Sequence, residues 1–61
     1  SIQLAQIEYY KDRDNYYPCP TVETNTVMIA DDLGLVDLNQ GAYDYQITGG
    51  CTTYTVLAIP K

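Results

Sequence analysis

Residues 15–20 read NYYPCP: two adjacent tyrosines are followed by a cysteine that stands between two prolines. Pro18 and Pro20 carry no amide proton, and each biases the residue before it toward extended backbone, so a helix cannot continue through this stretch. Two tyrosines in a row also make it too aromatic for an ordinary solvent-exposed linker. We therefore expect the chain to leave a helix here and to hold Cys19 against another part of the domain.

The segment before this exit, residues 1–14, reads SIQLAQIEYYKDRD and contains no glycine or proline, which predicts a helix. At about 100° per residue it carries two apolar stripes. The first consists of Ile2, Ala5 and Tyr9, and the second of Leu4, Ile7 and Tyr10. A helix on a single sheet needs only one stripe, so two stripes predict burial on two sides, once in the domain and once against another chain or segment. The alternative is that Leu4 and Ile7 are ordinary exposed apolar residues.

The C-terminal third predicts a β-hairpin, because two runs rich in β-forming residues, 43–48 and 51–59, are separated by Gly49-Gly50. If these glycines form a two-residue turn, Tyr45 lies opposite Tyr54. The residues that then share one face of the sheet are Tyr43, Tyr45, Ile47, Tyr54, Val56 and Ala58, and this agreement between the strands supports the register. We predict a core made of the first helical stripe and this face: Ile2, Ala5, Tyr9, Tyr45, Ile47, Tyr54, Val56 and Ala58.

Residues 15–42 are expected to form mainly a connecting region. Part of it is ambiguous: Asn25 or Thr26 would cap a short helix that ends at Gly34, or residues 27–30 would form a buried strand. A short helical turn followed by loop is the favoured alternative. The predicted fold is thus a single α+β domain over residues 1–61, with an N-terminal helix (1–14) packed on a small antiparallel sheet that ends in a hairpin (43–59).

Cys19 and Cys51 are the only two cysteines of the chain. In a small chain rich in Thr, Tyr and Asn, two cysteines predict one disulfide and an extracytoplasmic location, although two buried thiols are the alternative. The bridge would tie the helix exit to the hairpin and close a loop of about thirty residues, which is worth roughly 3–4 kcal/mol on the chain-entropy model.

Charge and residue types exclude several function classes. With 3 basic and 8 acidic residues the chain carries a net charge of −5, which repels phosphate, so nucleic acid is not an expected partner. There is no histidine, no nucleophile-and-base set and no phosphate-binding glycine loop. We expect no catalytic residue, no cofactor and no metal site. Calcium binding by Asp31, Asp32, Asp37 and Asp44 is the weaker alternative, because the calcium-loop pattern is absent.

The order of these features resembles the type IV pilins and the pseudopilins of type II secretion. In that family the helix end typically reads A-x-x-x-YY followed by YP, and here Ala5 to Tyr10 reads AQIEYY before the YYP of residues 16–18. The late strands of the family commonly read Y-x-Y-x-I and then YT-x-x-A-x-P. Residues 43–47 read YDYQI and residues 54–60 read YTVLAIP. Residues 21–42 carry no such match.

The resemblance implies a structural subunit of an extracellular or periplasmic cell-surface filament, either a major or a minor pilin, with a pseudopilin as the alternative. Its partners would be other copies of itself or sibling pilins, and the second stripe, Leu4, Ile7 and Tyr10, would be the assembly surface. The family's hydrophobic N-terminal helix is missing from this chain, so contact with a membrane is expected only through an upstream helix. A free-standing, disulfide-stapled secreted binding module is the alternative from another class.

Overall fold

The first helix, α1, is bounded by a capping residue at each end. In the computed structural model of the protein, which describes all 61 residues, α1 spans Ile2–Arg13. The Ser1 hydroxyl oxygen accepts a hydrogen bond from the Leu4 N–H at 3.3 Å. Asp14 ends the helix in the left-handed conformation, with φ of 59°, and its N–H donates to the Tyr10 carbonyl at 2.8 Å.

Residues 15–42 hold more regular structure than a connecting region. They contain a short strand β1 (Val22–Glu23), a helix α2 (Thr26–Leu33) and a single turn of 3-10 helix (Leu38–Gln40). The Asn25 side-chain oxygen caps α2 by accepting the N–H groups of the second and third residues after it, and Gly34 ends the helix with φ of 70°. The favoured prediction of a short capped helix that ends at Gly34 is therefore correct, whereas the expectation that residues 15–42 form mainly a connecting region is wrong.

The sheet is antiparallel and has the order β1-β2-β3, with β2 at Tyr43–Gly49 and β3 at Tyr54–Pro60. α2 packs against β1 and β2, and α1 packs against α2. An N-terminal helix, an antiparallel sheet ending in a C-terminal hairpin, and one disulfide together confirm the predicted α+β fold.

The register of the hairpin differs from the prediction. Gly49 and Gly50 do not form a two-residue turn: Gly49 is still paired, opposite Tyr54, and residues 50–53 make a four-residue connection. Tyr45 accordingly lies opposite Ala58 and not opposite Tyr54. The shift along the strand is an even number of residues, so the predicted set of side chains still shares one face of the sheet.

Gly49 stays in the strand because another segment lies against it. Its N–H donates to the Thr21 carbonyl at 3.0 Å, and a Cβ at this position would fall 1.6 Å from the Pro18 carbonyl oxygen. The glycine is thus required by a close approach of two backbones. Residues 18–21 occupy the space beside β2 into which a tighter hairpin would have to move.

The core is smaller than predicted and is centred differently. Its buried apolar centre consists of Ile2, Tyr17, Ile29 and Ile47, and the partly buried residues packed around it are Tyr9, Leu33, Leu35, Leu38, Tyr45 and Tyr54. Of the other predicted core residues, Ala5 is half-buried, whereas Val56 and Ala58 are exposed. The prediction of a core role is wrong for these last two, because they lie on the edge strand β3 and α2 packs on β1 and β2.

Candidate functional site

The junction between α1 and residues 15–20 depends on a buried glutamine. Gln6 is completely buried, on the same side of α1 as Ile2. Its Nε2 donates to the Tyr17 carbonyl at 2.5 Å, and its Oε1 accepts the Tyr17 N–H at 2.8 Å. The side-chain amide therefore satisfies both backbone groups of a buried residue that belongs to no helix or strand.

Sequence reasoning missed Gln6, because glutamine is usually exposed and does not count toward an apolar stripe. The only signal is its position, since on the helical wheel residue 6 lies between Ile2 of the first stripe and Tyr10 of the second. A buried polar residue between apolar side chains needs a hydrogen-bond partner, and here the partner is the backbone of the helix exit.

The two tyrosine pairs of the sequence, Tyr9-Tyr10 and Tyr16-Tyr17, pack against each other in reverse order. Tyr9 contacts Tyr17 edge to face, with ring centroids 5.6 Å apart, and Tyr10 contacts Tyr16 at 4.6 Å. Tyr16 also contacts Tyr54 of β3 at 4.9 Å. Tyr17 thus faces inward and Tyr16 outward, and together they join α1 to the hairpin.

The Tyr17 hydroxyl is bonded within the core. It donates to the Asp32 Oδ2 of α2 at 2.7 Å. Burial of the ring, together with this hydrogen bond and the negative charge of Asp32, raises the pKa of the Tyr17 hydroxyl far above its usual range. The Arg13 guanidinium lies 4.2 Å from the centroid of the Tyr9 ring, so a cation covers the neighbouring aromatic side chain.

The disulfide joins Cys19 to Cys51, as predicted, with the two Cα atoms 4.8 Å apart. No cysteine is free, which excludes the alternative of two buried thiols. Beside the bridge the Tyr16 N–H donates to the Cys51 carbonyl at 2.7 Å. The helix exit is therefore held to the connection between β2 and β3 by one covalent bond and one backbone hydrogen bond.

Two of the three residues of the predicted assembly surface are open to solvent. Leu4 is 64% exposed and Ile7 is 43% exposed, on the side of α1 away from the core. Tyr10 differs, because its ring is half-buried against Tyr16. Leu4 also borders a shallow groove between α1 and α2, whose apolar residues include Leu33 and Leu35. The use of this stripe for assembly remains a prediction.

The acidic residues do not come together as a metal site. No group of three Asp, Glu, His or Cys side chains is placed to hold an ion. Asp32 accepts from Tyr17, and Asp44 accepts from the Thr26 hydroxyl at 3.4 Å. Among the helices, none has both the length and the apolar character that a membrane crossing requires.

Comparisons of the chain with models of protein families, with curated proteins and with solved structures give no match. The resemblance to the pilins therefore depends on the chain's own residues, namely the two tyrosine pairs and the two C-terminal strands. In the structure the two tyrosine pairs and Tyr54 of β3 are in contact, and they join the helix exit to the hairpin.

Proposed function

We propose that this chain is the head domain of a structural subunit of a type IV pilus-like extracellular filament, and that it assembles through α1. The observation that carries the proposal is the division of α1 into two sides. Ile2 and Gln6 are buried against the head, whereas Leu4 and Ile7 present apolar surface to solvent. A helix of this kind has one side for the head and one side for a neighbouring subunit.

The junction supplies the rigidity that a filament subunit needs. A subunit held in a helical array by its helix must keep its head at a constant angle, because otherwise the outer surface of the filament would be irregular. The Gln6–Tyr17 hydrogen bonds, the paired tyrosines and the Cys19–Cys51 bridge all act at the exit from α1. In this proposal their role is to fix that angle.

The exposed stripe is too small to assemble alone. A stable interface buries about 800 Å² on each partner, and two or three side chains contribute only a fraction of that area. In the proposal the stripe extends an interface whose larger part is an upstream apolar helix. This explains why the stripe is short and why the head can fold with it exposed.

The test uses the full-length subunit with Leu4→Glu or Ile7→Glu. We expect loss of filaments by electron microscopy, because a buried unpaired carboxylate is costly in an apolar interface. The matched control is Val27→Glu, which places the same charge on an apolar residue of α2 that is 49% exposed, and it should leave filaments in place.

The fold is checked in the same variants by circular dichroism and by the intact disulfide mass. Unfolding of the head by Leu4→Glu or Ile7→Glu would mean that the stripe belongs to the core. Folded heads that still assemble normally would contradict the proposal.

A further inference from the structure

The edge of the sheet formed by β3 is uncovered. β3 is the last strand of the order β1-β2-β3, so one of its two edges has no partner. The opposite edge of the sheet is covered, because residues 18–21 and the start of α2 lie beside β2 and β1. An exposed strand edge offers unpaired N–H and C=O groups to any strand that can lie alongside it.

The hydrogen-bond pattern identifies which backbone groups are free. Two bonds bracket the β2–β3 ladder: the Lys61 N–H donates to the Ala42 carbonyl, and the Gly50 N–H donates to the Thr53 carbonyl. Opposed residues of an antiparallel pair alternate between bonded and unbonded pairs. Counting along the register from these two bonds, the backbone N–H and C=O groups of Thr55, Leu57 and Ile59 point toward β2.

The N–H and C=O groups of Tyr54, Val56 and Ala58 therefore point outward. The partners of these residues on β2 agree with this assignment. Gly49 and Tyr45, which lie opposite Tyr54 and Ala58, direct their N–H groups to the far side of β2, to the Thr21 carbonyl and the Thr26 hydroxyl. Pro60 belongs to the same outward series, so its missing N–H removes nothing from the β2 ladder.

We propose that the β3 edge binds the β3 edge of a second copy of this chain, antiparallel and about a two-fold axis at Val56. In this register each Val56 lies opposite its own counterpart, and each Tyr54 lies opposite an Ala58. Each of the three outward residues exchanges two hydrogen bonds with its counterpart, so no outward N–H of the strand is left unpaired.

Side-chain size and charge favour a second copy as the occupant. A large Tyr54 opposite a small Ala58 fits on each side of the central valines, and Thr55 lies opposite Leu57. The chain carries a net charge of −5, yet residues 52–60 contain no charged side chain. Two copies therefore meet at this strand without placing like charges opposite each other, whereas α2 carries Asp31 and Asp32 and no basic residue.

The size of the contact predicts its strength. The whole chain exposes 3992 Å², so a standard interface of about 800 Å² per partner would need about a fifth of its surface. Five paired residues of one strand supply less. We therefore expect weak association, with a dissociation constant of roughly 0.1–1 mM. This surface is separate from Leu4 and Ile7, and its test does not depend on filaments.

The test measures self-association of the 61-residue chain by sedimentation and amide exchange up to about 1 mM. We expect dimers at the upper end. The amides of Tyr54, Val56 and Ala58 should exchange more slowly as the concentration rises, whereas those of Leu57 and Ile59 should be protected at every concentration.

Charge substitutions test the register. Val56→Lys and Val56→Glu each place like charges on the two-fold axis and should weaken the dimer severalfold, whereas a mixture of the two should restore or exceed wild-type association. Val36→Lys and Val36→Glu are matched for net charge at a loop position that is 80% exposed, and their mixture should show no such gain. A monomer at about 1 mM, or a Val56 mixture no stronger than its components, would overturn the proposal.

Discussion

Replacing Gln6 with leucine should destabilise the domain more than any other substitution of a polar side chain on α1. Leucine has a similar volume and suits a buried site, so neither overpacking nor a large cavity follows. The change instead removes the donor and the acceptor that the buried Tyr17 backbone uses, at 2.5 and 2.8 Å. Each buried backbone group left without a partner costs about 1–3 kcal/mol. Two such groups cost about 2–6 kcal/mol, and the apolar side chain gained reduces the expected loss to about 2–5 kcal/mol.

Chemical denaturation followed by circular dichroism measures this loss. A domain of this size has a free energy of unfolding of roughly 3–9 kcal/mol, so the variant should lose a large part of its stability. Gln3→Leu is the matched control, because Gln3 lies exposed on the same helix, and it should change stability by less than about 0.5 kcal/mol. Equal effects of the two substitutions would refute the role given to Gln6.

Gln6→Glu distinguishes loss of hydrogen bonds from loss of packing. An introduced carboxylate can accept the Tyr17 N–H but cannot donate to the Tyr17 carbonyl, whereas a protonated carboxyl can do both. Burial raises the pKa of such a group above its unfolded value, so its stabilising contribution is present in acid and is lost as the pH rises. Stability of this variant relative to wild type should therefore increase on acidification, and a pH-independent difference would point to packing.

Three further predictions concern other parts of the junction. Cys51→Ser should lower stability by about 2–4 kcal/mol, and reduction of the wild-type chain should add the mass of two hydrogens. Folding raises the pKa of the Tyr17 hydroxyl, so the stability that this hydroxyl contributes is present below about pH 10 and is lost as the pH rises above that value. Tyr17→Phe should therefore make the free energy of unfolding less dependent on pH in the alkaline range, as measured by denaturation at a series of pH values. Gly49→Ala should lower stability in thermal unfolding by about 3 kcal/mol or more, because the added Cβ would lie 1.6 Å from the Pro18 carbonyl oxygen. Gly41→Ala is the control: its Cβ would lie 3.8 Å from the nearest atom, the Leu38 carbonyl oxygen, and the loss should be less than about 1 kcal/mol.

Several local features follow from the residues alone. A helix before the prolines, a second helix capped at Asn25 or Thr26 and ended at Gly34, and the face shared by the hairpin side chains all depend on neighbours in sequence. The disulfide also follows, since a chain with two cysteines has only one intramolecular pairing. These features were predictable because each is decided by a few adjacent residues or, for the disulfide, by the number of cysteines.

The features that sequence reasoning got wrong depend on distant segments. The pair Gly49-Gly50 has the composition of a tight turn, but the backbone of residues 18–21 lies against Gly49 and keeps it in the strand. Gln6 is polar and would be placed at the surface, but the exit of its own helix returns to pair with it. In both cases a contact across more than ten residues overrides a local preference.

For this protein, then, the sequence by itself determined that a helix ends before the prolines, which two residues are bridged and which side chains share a sheet face, because these depend on neighbouring residues or on the number of cysteines. Only the tertiary structure decided the strand register, the partner of Gln6 and the exposure of Val56 and Ala58. The physical reason is that helix and strand patterns give the orientation of a side chain relative to its own element, whereas burial depends on which other element covers it. β3 alternates like a half-buried strand, but in this chain α2 covers β1 and β2 and leaves β3 exposed.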